Sequence, residues 1–135
     1  TLIDLSDENL SGANLSKTDL TNAYLVGANL SNTKLAEAIM ADTDLTQANL
    51  SKAYLFKANL TKANLTEADL TEANLSHANL PYTNLSGATL SKATLSKATL
   101  SNANLSDANL SDTFMMGAIL CNTTMPDGSV IYSGC

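Results

Sequence analysis

The sequence predicts an all-β solenoid, one chain wound into stacked coils, and three regularities predict it. Every fifth residue from Leu5 to Met125 is apolar: of these 25 positions, 22 are Leu and the others are Met40, Met115 and Met125. Two places before each, from position 13 to 123, the residue is small: Ala in 17 cases and Thr in the other six, at Thr18, Thr33, Thr43, Thr83, Thr113 and Thr123. The residue just before the leucine is mostly Asn or Asp, as in Asn14, Asp19, Asn29, Asp69 and Asn109, and the one after it is Ser or Thr in 17 of 25 cases. The remaining position is varied.

A period of five suits neither regular element. On an α-helix turning ~100° per residue, leucines five apart rotate by about 140° each and spiral over every face. On a flat strand, Leu60 and Leu65 would point to opposite sides, because side chains alternate with period two. A chain that bends once per five residues sends every leucine and every small residue inward. Asn, Ser and Thr then occupy the bends and the outer surface, where short polar side chains bond to nearby backbone. The coils must stack, since a lone coil leaves its N–H and C=O groups unpaired.

Runs such as Ala58-Asn59-Leu60-Thr61-Lys62, Ala63-Asn64-Leu65-Thr66-Glu67 and Ala68-Asp69-Leu70-Thr71-Glu72 resemble the A-(N/D)-L-(S/T)-x consensus of the pentapeptide-repeat family, over about Leu5 to Met125. The resemblance implies a right-handed quadrilateral β-helix with four pentapeptides per coil, hence about six coils. At ~4.8 Å per coil such a rod is roughly 30 Å long. The number of sides comes from the resemblance alone, because outward charges alternate at a spacing of twenty (Lys52, Glu72, Lys92, Asp112) and equally at fifteen (Glu37, Lys52, Glu67).

The solenoid is expected to span residues 1–125, followed by a turn and capping tail over 126–135. Pro126-Asp127-Gly128 reads as a turn leading into the apolar run Val130-Ile131-Tyr132. The ending Met125-Pro126-Asp127-Gly128-Ser129 also resembles the tail of cyanobacterial members of that family. At the other end, Glu8 occupies a small-residue slot, so the first coil is expected to be irregular or uncapped. Cys121 and Cys135 are candidates for a disulfide pinning the tail to the last coil, against two free thiols. A bridge points to the periplasm or thylakoid lumen, its absence to the cytoplasm. The chain begins with Thr1 rather than Met, and nothing in its first ten residues resembles a basic-then-apolar signal, so a targeting segment removed beforehand is compatible with it.

The 13 Asp and Glu outweigh 7 Lys, giving a net charge of −6 with no arginine. That balance repels phosphate backbones and anionic membranes, so neither nucleic acid nor membrane is expected as a partner. No cofactor motif is present, and no metal site is expected from one His and two Cys. The pairs Asp42 with Asp44 and Glu67 with Asp69 project outward but lack the loop and ligand count of a calcium site. His77, the only histidine, sits in a variable slot with Lys57 and Lys97 as its expected neighbours, which argues against catalysis.

Two groups of outward apolar residues break the polar pattern. Ile39, Tyr54 and Phe56 have no evident cover and form a candidate interaction patch. Phe114, Met116 and Ile119 are expected to lie under Val130 to Tyr132. The chain therefore reads as a non-catalytic structural or protein-interaction module, a monomer or a weak dimer formed end to end or through a patch. The alternative, a DNA-mimicking inhibitor of DNA gyrase, is implied by the quinolone-resistance relatives within the family. Here the centres are leucine and lysines interrupt the acid.

Overall fold

The structure, a computed structural model, describes residues 2–135. Residues twenty apart pair in parallel β-bridges without interruption, from Asp4 with Tyr24 to Asn104 with Thr124. Twenty residues hold four pentapeptides, and each coil bends once in each of them. The outer surface thus has four faces, carried by the bridged residues, and four corners between them.

The hydrogen bonds of one pentapeptide account for the consensus. Leu65 N–H donates to Asn84 C=O at 2.7 Å and Glu67 N–H to Ser86 C=O at 2.9 Å, both on the next coil. Asp69 N–H donates back to Ala48 C=O at 2.9 Å, on the preceding coil. Ala68 N–H closes the bend on Leu65 C=O at 3.0 Å. One donor is left, the Thr66 N–H, and it goes to the Asn64 side chain. All five backbone donors of Leu65 to Asp69 are therefore satisfied, as buried and half-buried backbone requires.

The core is a column of stacked leucines and alanines. Leu25 to Leu105, with Met40 among them, and the alanines between them are closed to solvent. Only a small residue fits beside each leucine, because Cβ there faces the interior of the coil. Threonine is admitted because its hydroxyl finds a carbonyl. Thr33 Oγ1 donates to Leu30 C=O in its own bend at 2.6 Å, whereas Thr83 Oγ1 donates to Leu60 C=O one coil away at 2.8 Å. Among the described residues no buried side-chain polar atom lacks a partner.

The varied fifth position is conformationally demanding. Twenty non-glycine residues there, including Lys52, Lys57, Glu67 and His77, have φ between 55° and 62°. For an L-residue the left-handed region costs roughly 1–2 kcal/mol. The sequence carries a trace of this: no Val, Ile or Thr occupies that slot from Asp7 to Asn122. Branching at Cβ is what the left-handed backbone tolerates least.

The two ends differ. At the N-terminal end Leu5, Leu10 and Leu15 are only half-buried and Glu8 is exposed, so none of the described residues covers the first coil. At the C-terminal end, strand β1 (Leu120–Thr124) pairs antiparallel with strand β2 (Val130–Ser133), Leu120 opposite Ser133 and Thr124 opposite Val130, with a bulge between Cys121 and Thr123. The tail thus doubles back along the free edge of the last coil and supplies partners to one of its sides, which blunts that edge. The turn is closed by Gly128 N–H on Met125 C=O at 2.9 Å, with φ of 84° at Gly128.

Candidate interaction surface

Two of the outward residues that interrupt the polar surface, Tyr54 and Phe56, meet at one corner. Tyr54 stands on a face and Phe56 begins the bend that follows it. Their rings stack with centroids 6.0 Å apart and planes 14° from parallel. His77, one coil further, lies edge-on to Phe56 at 5.4 Å and 71°. The Lys57 Nζ sits 5.3 Å from the Phe56 centroid, a cation over a π face. Tyr54 is 42% exposed and His77 and Lys57 are exposed, so this aromatic and cationic cluster is open to solvent.

Ile39 stands apart from this cluster. Its bridge to Asn59 places it on the next face, past the corner that Phe56 and Lys57 form, and one coil earlier. The three residues read together in the sequence therefore straddle a corner rather than sharing a plane. Lys57 adjoins Phe56 in the chain, whereas the contact of His77 with Phe56 was not legible from residue type, because those two are neighbours only once the coil length is known.

The second apolar group is not covered as the sequence led us to expect. Phe114 remains 63% exposed and Met116 85% exposed. The reason is register: β2 follows the side formed by Leu120 to Thr124, and Phe114 and Met116 belong to the side before it. Only Ile119 is approached, by Gly134, where an added Cβ would meet Ile119 Cγ2 at 3.3 Å. Tyr132, on the tail itself, is 65% exposed.

Cys121 and Cys135 are joined in a disulfide, with Cα atoms 4.7 Å apart. The bond ties the segment that follows β2 to β1 on the last coil. Asp127 Oδ1 accepts from the Ser129 hydroxyl at 2.6 Å and the Ser129 N–H at 2.9 Å, and these two bonds hold its carboxyl below the ordinary value.

The carboxylate pairs do not converge. Asp44 Oδ1 accepts from the Thr46 N–H and hydroxyl, and Asp69 Oδ1 likewise from Thr71, while Glu67 Oε2 accepts from the Gln47 side-chain amide at 2.9 Å. Asp42 is at a corner and Asp44 on the next face. Among the described residues no three His, Cys, Asp or Glu side chains are placed to hold a metal ion, and no pocket opens on the surface.

Comparison with known proteins agrees with this geometry. The pentapeptide repeats family model matches eight copies over residues 3–42, 48–81, 68–107 and 83–122. Among solved structures, the chain is similar to Rfr23, a pentapeptide repeat protein from the cyanobacterium Cyanothece 51142. The two are 31% identical over 85% of each chain, with a TM-score of 0.64. It is also similar to HetL, a pentapeptide repeat protein involved in heterocyst differentiation regulation from the cyanobacterium Nostoc sp. strain PCC 7120. That match has 34% identity over 96% of this chain and 70% of HetL, with a TM-score of 0.42. A pentapeptide repeat protein of the Arabidopsis thaliana thylakoid lumen matches at 24% identity, covering 90% of this chain and 70% of its own, with a TM-score of 0.44. Curated proteins yield no match.

Proposed function

The chain belongs to the pentapeptide-repeat family, and on that premise we propose that it is a non-catalytic structural or protein-interaction module, a right-handed quadrilateral rod of about six coils. One observation carries the reading. The i to i+20 ladder stacks outward side chains in columns, one residue per coil, and on that polar lattice Tyr54, Phe56, His77 and Lys57 form a single aromatic and cationic cluster. A rigid lattice loses little conformational entropy on docking, and exposed aromatic side chains are favoured anchors in interfaces. The disulfide favours an oxidising compartment, periplasm or thylakoid lumen.

The test is capture of binding proteins by the wild-type rod and by a Tyr54→Ser, Phe56→Ser variant, both folded by circular dichroism. A protein partner held by the wild type and lost by the variant supports the reading. Capture unaffected by the variant removes the patch from it. A second reading, inhibition of DNA gyrase by DNA mimicry, draws on the corner that carries Asp7, Glu67 and Asp107. A supercoiling assay decides it, and full gyrase activity at micromolar protein sinks it.

A further inference from the structure

We propose that the rod associates side by side with a second copy of itself, its lysine corner docking in register on the partner's acidic corner. The observation is a division of charge that appears only once residues are placed in columns twenty apart. One corner carries Lys17, Glu37, Lys57, His77 and Lys97; another carries Asp7, Gly27, Gln47, Glu67, Gly87 and Asp107. All of these residues sit at a bend and are exposed. Lys57 and Glu67 are ten residues apart, half of the twenty-residue coil. The two corners therefore lie on opposite edges of the four-sided rod, and a second copy moved sideways without rotation brings one against the other.

The register then follows from the coil. Being half a coil apart, each residue of the lysine corner falls between the partner's residues numbered ten lower and ten higher. Lys17 falls between Asp7 and Gly27, Lys57 between Gln47 and Glu67, and Lys97 between Gly87 and Asp107. His77 falls between Glu67 and Gly87. Glu37, the one acid in the lysine corner, falls between Gly27 and Gln47 and meets no acid. Every lysine gains a carboxylate and no like charges face each other. Sliding one copy by a full coil in either direction sets Glu37 beside Glu67 or beside Asp7, so the unshifted register is the one the charges select.

Such a contact is heterologous: it leaves a free acidic corner on one copy and a free lysine corner on the other, and so propagates as a ribbon. A corner contact is narrow, and the net charge of −6 on each copy opposes it. The association is accordingly weak, visible at high protein concentration and screened by salt, with a Debye length of ~10 Å at 0.1 M and ~3 Å at 1 M.

Sedimentation velocity across a concentration series tests this on the oxidised full chain. The wild type is expected to show a sedimentation coefficient that rises with concentration at about 0.1 M salt and stays flat at about 1 M. Lys57→Gln with Lys97→Gln should abolish the rise, whereas Lys52→Gln with Lys92→Gln, which changes the net charge equally at a different corner, should keep it. Lys57→Glu with Lys97→Glu, and Glu67→Lys with Asp107→Lys, should each be monomeric alone and associate when mixed. A wild type that stays monomeric throughout, a rise that survives the Lys57 and Lys97 changes, or a mixture that fails to associate would overturn the proposal. Loss of a foreign partner in the Tyr54 and Phe56 variant leaves these outcomes untouched, so the two readings fail separately.

Discussion

Asn64 and Thr66 form a closed local unit: the Thr66 N–H donates to Asn64 Oδ1 at 3.0 Å and the Thr66 hydroxyl donates to the same oxygen at 2.6 Å. The pairing recurs at Asn59 with Thr61, Asp69 with Thr71 and Asn104 with Ser106. It satisfies the one N–H of the pentapeptide that no backbone carbonyl accepts. Asn64→Ala is therefore expected to destabilise the rod by about 1 kcal/mol, the net worth of a hydrogen bond of this kind. Asn64→Asp, which keeps the acceptor, should cost less. Urea denaturation of the two variants decides it, and equal stability would refute the role.

Core truncations should depend on position along the rod. Leu70 is fully buried with coils on both sides, and Leu70→Ala is expected to cost about 2–5 kcal/mol. Leu10 is half-buried at the open end and packs against the core from one side only, so Leu10→Ala should cost distinctly less. In a stack where each coil contacts only its neighbours, that difference reports where the weak end lies. Thermal or denaturant unfolding of the pair is the measurement.

The left-handed corner makes the varied position a test of backbone rather than of charge. Lys52 has φ of 57°. Lys52→Val and Lys52→Gly remove the same charge, yet Val should destabilise by about 1 kcal/mol or more while Gly should be neutral or slightly stabilising. Similar stabilities for the two variants would count against the strain.

The Asp19 carboxyl accepts from the Thr21 hydroxyl at 2.6 Å and the Thr21 N–H at 3.0 Å. Those bonds, the hydroxyl's first, hold it below its ordinary value of 3.8. Because the folded value is the lower one, the stabilisation is fully present above the unfolded value and is lost as pH falls through the folded one. Carbon-detected NMR of the Asp19 carboxyl should give a midpoint below 3.8. A midpoint at or above it contradicts the bonding.

Reducing the Cys121–Cys135 bond opens a loop with a sequence separation of 14 residues. The loss is expected to be at most about 3 kcal/mol and local to the C-terminal end. Hydrogen exchange on the reduced protein should speed up at Val130 to Ser133 while Leu60 to Leu80 stay protected. Uniform loss of protection along the rod would show that the tail holds the whole stack.

The inward side of this protein was legible from residue order alone. Leucine every five residues, with Ala or Thr two before, excludes helix and flat strand and requires a coil, because bending once per pentapeptide is what turns every leucine the same way. Asn before the leucine was legible as a bend residue, though its specific task, capping the N–H two residues on, needed the placed backbone. The outward side was not legible. A five-residue code is met equally by any number of sides, and the charges alternate as well at fifteen as at twenty. Lys57 beside His77 was expected from the resemblance alone; the ladder that joins Asp4 to Tyr24 and Asn104 to Thr124 decides it independently, and decides that Lys57 and Glu67 lie on opposite edges. The angle of each bend sets how many pentapeptides complete a coil, and that angle belongs to the left-handed backbone at Lys57, Glu67 and their like, where residue type leaves only the absence of β-branching as a sign. The tail shows the same division. Its turn was written in Pro126-Asp127-Gly128, but which side it covers, and hence that Phe114 and Met116 stay open, was decided by the register of β2 on β1.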